Sequence, residues 1–102
     1  MNTKKHLPNL DYDKVREAEF IISTLHSKRR QRILDLLDIF GPMSANHISQ
    51  EIKLDQSITD GHLRRLKKSG VVDAERRDSG IYFKPNTSRL EQITSAVRRF
   101  LR

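Results

Sequence analysis

A run of polar and cationic side chains between Gln56 and Lys68 could do one kind of chemistry, the hydrogen bonding and charge pairing that hold a polyanion. Gln56, Ser57, Thr59 and Asp60 come first, and their donors and acceptors suit the edges of bases in a major groove. His62, Arg64, Arg65, Lys67 and Lys68 follow, and side chains of this kind suit phosphate. A second group, Arg76 and Arg77, stands eight residues further on, and Ser44 offers a hydroxyl upstream. No catalytic set accompanies them. There is no Ser/His/Asp grouping with supporting glycines and no phosphate-cradling loop, and Asp11, Asp13, Asp35 and Asp38 read as cap and helix-surface charges. The chain has no cysteine, which removes disulfides, thiolate zinc sites and cysteine nucleophiles. His6, His26, His47 and His62 are scattered with no i, i+4 pair, so neither a metal site nor a cofactor is expected.

The elements that must position these residues are legible from periodicity. Residues 1–10, with Pro8 and Asn9 and no pattern, read as a flexible arm, and 11–102 as one domain. A first helix starts near Asp11 or Asp13 and places Tyr12, Val15, Ala18, Ile22 and Leu25 on one face. Phe20 and Ile21 lie off that stripe, so the helix is apolar on more than one side and is either deeply buried or pressed between two subunits. Ser27 can cap a second helix to about Phe40, with Ile33, Leu34, Leu37 and Phe40 inward, Leu36 widening the stripe and Gly41-Pro42 as the stop. Lys28, Arg29, Arg30 and Arg32 crowd its first turns, the wrong end for cations on dipole grounds. Either these charges have another use or they are a solvated run.

Ser44 caps a short third helix that turns Ile48 and Ile52 inward. Lys53-Leu54-Asp55 links it to a fourth helix, which Asp55 is placed to cap and in which Thr59, Leu63 and Leu66 share a face beside Ile58. Gly61 weakens this helix by ~1 kcal/mol relative to Ala and allows close approach to a backbone. Asp60 either pairs with Arg64 at i+4 or accepts from a cytosine amino group. Gly70 ends the helix. Residues 71–76 and 81–84 are strand-like, and the turn Arg77-Asp78-Ser79-Gly80 has hairpin composition. Tyr82 and Phe83 alternate faces, so one of them is core; stacking on a single strand is the other use of such rings. Ser88 with Glu91 makes a capping box for a last helix whose stripe is Leu90, Ile93, Val97, Phe100 and Leu101. The predicted fold is mostly α with a β-hairpin wing, a winged helix-turn-helix of order α-α-α-α-β-β-α.

The bulk properties agree with a polyanion partner. Net charge is +7 over 102 residues, with 35% hydrophobic and 32% charged residues, and the isoelectric point is about 10.1. A balance this basic points to nucleic acid first and to an anionic membrane surface second, against a merely solvated basic surface. The longest apolar run, Phe20-Ile21-Ile22, falls far short of the ~20 residues that span a bilayer, and Lys4, Lys5 and His6 precede no apolar signal core. A cytoplasmic location with no membrane partner is expected.

From Ser27 to Asn86 the chain resembles the ArsR-type family of bacterial winged helix-turn-helix transcription regulators. The residues that carry the resemblance are Arg32, Ile33, Leu34 and Gly41 in the second helix, and Ile48 and Ile52 in the third. Leu54, Gln56, Ser57, His62, Leu63 and Leu66 follow in the recognition helix, and Lys68, Gly70, Val71, Val72, Gly80, Ile81, Tyr82 and Phe83 in the wing. The resemblance implies a homodimer whose first and last helices pack across a two-fold axis, through Tyr12, Val15, Phe20, Ile22, Leu90, Ile93, Val97, Phe100 and Leu101. It implies double-stranded DNA as partner, with half-sites roughly 34–36 Å apart, and a repressor of transcription. Gln56, Ser57, Thr59 and Asp60 would read bases, and Ser44, His62, Arg64, Arg65, Lys67, Lys68, Arg76 and Arg77 would hold the backbone. The chain departs from the family at Ile58-Thr59, usually polar then aliphatic, and at Asp60, where a small hydroxyl residue is common. It also lacks the usual metal-sensing ligands, having no cysteine pair in the third helix and no His or Asp in the last. An effector would then be a small organic ligand, pH, a partner protein or protein abundance. The alternative reading is a winged-helix protein-interaction module that dimerises without reading DNA.

Overall fold

The computed structural model describes residues 11–100, with the side chains of Val97 and Phe100 excepted. The expected arm at 1–10, the last-helix residue Leu101, and the side chains of Val97 and Phe100 proposed for the dimer seam therefore lie outside the described residues. The chain order is α1 (Tyr12–Leu25), α2 (Lys28–Phe40), β1 (Met43–Ser44), α3 (Ala45–Ile52), α4 (Gln56–Ser69), β2 (Val72–Arg77), β3 (Gly80–Pro85) and α5 (Thr87–Phe100). This is the winged helix-turn-helix predicted from sequence, with one addition. Met43–Ser44 adds a third, edge strand, pairing Met43 with Phe83 and Ser44 with Tyr82 in the sheet order β1-β3-β2. Two residues carry no periodicity, so a strand this short has no sequence signal.

Local chemistry sets most of the boundaries. The Asp11 carboxylate accepts from the amides of Asp13 and Lys14 at 3.0 and 3.3 Å, Ser27 Oγ from Arg30 N at 3.3 Å, and Ser44 Oγ from His47 N at 3.2 Å. Gly41 and Gly70 end α2 and α4 with φ of 79° and 84°, a backbone region that glycine enters without a Cβ penalty. Lys53 ends α3 in the same left-handed region, φ 57°. Two predicted caps differ. Asp55 stands at the N-cap of α4 but its side chain makes no capping hydrogen bond. The last helix opens at Thr87, ahead of the Ser88–Glu91 box, because Asn86 does the capping. Its Oδ1 accepts from Arg89 N at 2.9 Å while its own amide donates to Val71 O at 2.8 Å.

One core joins the elements. Ile21, Ile33, Leu37, Met43, Ile48, Ile52, Leu63, Leu66, Val71 and Val72 are buried together, with Leu34, Leu36, Phe83, Leu90 and Ile93 packed against them. Of the two wing aromatics, Phe83 is the one on the core side. Phe40 is not core as expected. It is 64% exposed beside Ile39 at 71%, since α2 reaches Gly41 before the chain turns back over its last residues. On α1 the inward pair is Ile21 and Thr24, while Ala18 and Ile22 face out. Tyr12, Val15 and Leu25 of the predicted stripe are partly buried, and the stripe departs from the inward face at Ala18 and Ile22, because α4 docks beside Ile21 through the polar Thr24, which a hydrophobicity pattern passes over.

Candidate nucleic-acid interface

The side chains of α4 divide among three directions. Thr59, Leu63 and Leu66 point into the core and are fully buried. His62 and Arg65, three residues apart, turn toward the corner between α1 and α2. Gln56, Ser57, Arg64, Lys67 and Lys68 are exposed. Asp60, Arg64 and Lys67 edge a cleft whose floor is Leu63, Ala74, Ile81 and Phe83, so it lies between α4 and one face of the wing. Gly61, Arg64, Arg65, Lys67 and Lys68 line a second, wholly basic recess.

Three predicted site residues are placed otherwise. Thr59 cannot read bases, because it is fully buried and its Oγ1 donates to Asp55 O at 3.1 Å. The helical period that sets Leu63 and Leu66 inward carries Thr59 with them. Arg65 is drawn back from a DNA backbone. Its Nε donates to Thr24 Oγ1 at 3.1 Å, its Nη2 to Ser23 Oγ at 2.9 Å, and its guanidinium sits 4.6 Å from the centre of the Phe20 ring. Phe20, proposed for the dimer seam, is thereby engaged within its own chain. His62 faces Arg30, with Nδ1 3.3 Å from Nη1 of that guanidinium, and does not point outward to a phosphate. The expected Asp60–Arg64 pair is not among the ion pairs of the described residues.

The same corner explains the cations at the start of α2. Arg30 Nε donates to Thr24 O at 2.7 Å, and Gln31 Nε2 donates to Leu25 O at 2.6 Å. Two of the carbonyls that α1 leaves open at its C-terminal end are thus satisfied by α2 side chains. Arg30 is poorly placed for the dipole of its own helix and well placed for that of α1. Sequence reasoning missed this role because it depends on which helix end abuts which. The free outward set is therefore Gln56, Ser57, Arg64 and Lys67, joined by Lys68, which is exposed but has its Nζ 5.8 Å from the centre of the Phe20 ring.

On the wing, Ala74, Arg76 and Val72 oppose Phe83, Ile81 and Pro85, while Glu75 and Arg77 oppose Tyr82 and Gly80 on the other face. Arg76 is exposed. Arg77 lies 3.2 Å from Glu75 and 4.8 Å from the centre of the Tyr82 ring, and Tyr82 Oη is 2.8 Å from Ser79 Oγ at the turn. Arg77 therefore enters the site partly neutralised, and Arg76 is the freer wing cation. Ser44 spends its acceptor on the α3 cap. Of the proposed dimer residues, Tyr12 and Val15 are half-buried, Ile22 is 56% exposed, and Leu90 and Ile93 lie partly against the core of their own chain. Among the described residues no three His, Asp or Glu side chains come together as metal ligands, and no helix is long and apolar enough to cross a membrane.

Two substitutions probe α4 itself. A Cβ built on Gly61 meets only Arg64 Nη2, at 3.8 Å, an ordinary separation. Gly61→Ala should then stabilise the chain by ~1 kcal/mol, seen as a raised midpoint in chemical denaturation; a lowered midpoint would contradict it. For His62, burial first, then the Arg30 and Arg29 guanidinium groups, push the imidazole below its usual pKa. The unfolded chain then binds a proton more readily than the folded one, so this contribution to stability is present above the unfolded value of about 6.5 and is lost as pH falls through the folded value. The melting temperature should drop on acidification across that window, and His62→Gln should flatten the drop. An identical profile in the variant would show that other groups carry it.

A family model described as bacterial regulatory protein, arsR family, matches residues 27–74. The chain is 27% identical over 81 residues to the transcriptional repressor SdpR of Bacillus subtilis, a match covering 79% of this chain and 89% of the repressor. Among solved structures, an ArsR-like transcriptional regulator from Rhodococcus superposes with a TM-score of 0.78 at 18% identity, over 86% of this chain and 82% of that one. A homodimeric winged helix-turn-helix DNA-binding domain from Mycobacterium bovis superposes with a TM-score of 0.75 at 20% identity, again over 86% and 82%. The matched segment 27–74 runs from the cap of α2 into the wing and contains the outward face of α4. Over that segment the chain is similar to the arsR family of bacterial regulatory proteins, and its fold is that of winged helix-turn-helix domains.

Proposed function

We propose that the protein is a homodimeric, sequence-specific regulator of transcription that binds double-stranded DNA in the cytoplasm and represses, with no enzymatic activity and without the family's usual metal-sensing ligands. The observation that carries this reading is the outward face of α4. Arg64, Lys67 and Lys68 stand exposed with no carboxylate partner among the described residues. They lie about two to three helical turns beyond Gln56 and Ser57 on the same helix. Polar side chains at the leading end would meet base edges, and the cations would meet phosphate. Asp60, at the mouth of the cleft facing the wing, is free of Arg64 and can accept from a cytosine amino group. The homodimer reading is supported by the homodimeric relative of the same fold and by the exposed Ile22 on α1. Repression is supported by the likeness to SdpR.

Selection of bound fragments from a random duplex pool tests the reading directly. A symmetric site with half-sites about one helical turn apart is expected, and Gln56→Ala or Ser57→Ala should change the preferred site more than the overall affinity. A second reading, a dimeric module that binds protein and not DNA, has the neighbouring exposed Ile39 and Phe40 in its favour. Weak binding to every duplex at moderate salt, with dimerisation intact, would select it.

A further inference from the structure

An α-helix with its side chains is ~10–12 Å across, close to the ~12 Å width of the major groove. A helix seated there has a sugar-phosphate wall on each side, so whatever flanks it in the protein meets phosphate. On one flank of α4 stands the wing with Arg76 and Arg77. On the other stands the corner where α1 ends and α2 begins. As α4 runs from His62 to Lys68, its partners step from Arg30 on α2 through Thr24 to Phe20 on α1. The start of α2 therefore lies beside the middle of α4, closer to its leading end than α1 does.

We propose that Lys28 and Arg29 form a second phosphate-binding flank for duplex DNA, opposite the wing. Both are exposed. Among the described residues neither has a carboxylate within ion-pair reach, and the same holds for Arg30 and Arg65 behind them. Glu19 lines the recess that holds Arg30 without pairing with it. Arg29, Arg30, Arg65 and His62 thus gather around one corner with Glu19 nearby but, among the described residues, with no carboxylate in ion-pair contact. Their mutual repulsion is felt within the protein: the charges of Arg30 and Arg29, after burial, disfavour protonation of His62, and Arg65, after burial, lowers the pKa of Arg30. Arg30 and Arg65 are spent on holding α1, α2 and α4 together. Lys28 and Arg29 make no such hydrogen bond, and a polyanion laid along the corner would relieve the repulsion of the whole group. The inference deepens the DNA reading and rests on it: the footprint would extend to both sides of the recognition helix, with positioning supplied by the α1–α2 corner as well as by the wing.

The test is the salt dependence of binding to the site selected from the random pool. Log of the observed association constant is plotted against log salt for the wild type, for Lys28→Gln/Arg29→Gln, and for Lys14→Gln/Arg16→Gln, which removes the same net charge from the far end of α1. The corner variant should show a slope shallower by about 0.9 for each phosphate that a protomer no longer neutralises, with its melting temperature and preferred site kept. The control should keep the wild-type slope. An unchanged slope in the corner variant, or an equal fall in the control, overturns the second flank. A wild-type chain that binds no duplex overturns the DNA-regulator reading as well, so the two failures are told apart by whether the wild type binds.

Discussion

Replacing Arg64, Lys67 and Lys68 together with alanine should weaken binding to every duplex by roughly two to three orders of magnitude near 0.1 M salt. The same triple variant should flatten the salt slope by about 0.9 for each phosphate left without its cation. The three side chains are exposed, and none of them has a carboxylate partner among the described residues. Their removal takes away counterion release, and within the fold it costs only the loose approach of Lys68 Nζ to the Phe20 ring at 5.8 Å. The melting temperature should therefore stay near that of the wild type. Arg65→Ala, one helical position from Arg64, should behave in the opposite way. It deletes the hydrogen bonds to Thr24 and Ser23 and the stacking on the Phe20 ring. Hydrogen bonds made by charged groups contribute ~1.5–3 kcal/mol, and partial solvent exposure of Arg65 places the expected loss of stability at the lower end. Its salt slope should change little. Gel-shift titrations beside chemical denaturation separate the two outcomes, and a slope change in Arg65→Ala equal to that of Arg64→Ala would return Arg65 to the DNA-facing set.

Leu66→Ala should give the largest loss of stability, about 2–5 kcal/mol. Leu66 is fully buried on the inner face of α4 within the cluster that includes Ile33, Leu37, Ile48 and Leu63. A loss of that size is a large part of the ~5–15 kcal/mol that holds an ordinary domain folded, and a domain this small has little apolar area to spare. The consequence for function is indirect. The same helix supplies the core and the outward cations, so a cavity behind it loosens the presentation of Arg64 and Lys68. Denaturant midpoints measure the first effect. DNA affinity measured well below the midpoint should fall less than in the triple cation variant, because no charge is removed.

How much of this was legible in the chain differs by level. Apolar spacing, caps and glycine stops marked out all five helices and both hairpin strands, since these are local properties written at periods of 3.6 and 2. Asp11, Ser27, Ser44, Gly41 and Gly70 act where their chemistry says they should. The basic character of the chain, which calls for a polyanionic partner, was equally plain, because net charge adds without regard to folding. Helix ends decided by competition were harder to read. Asn86 outcompetes the Ser88–Glu91 box because its backbone is already anchored to Val71.

What the sequence by itself determined, then, is the order of elements, the helix that carries the exposed polar and cationic residues, and the sign of charge it presents. The tertiary structure decided which of those residues are free. Thr59 turned inward, Arg65 and His62 were claimed by the α1–α2 corner, and Arg30 became a cap for a helix other than its own. The physical reason is that a long, flexible cation binds whichever acceptor the packing brings within its reach. Periodicity specifies the direction in which a side chain leaves its helix, while the occupant of that direction is set by the angle at which two helices meet.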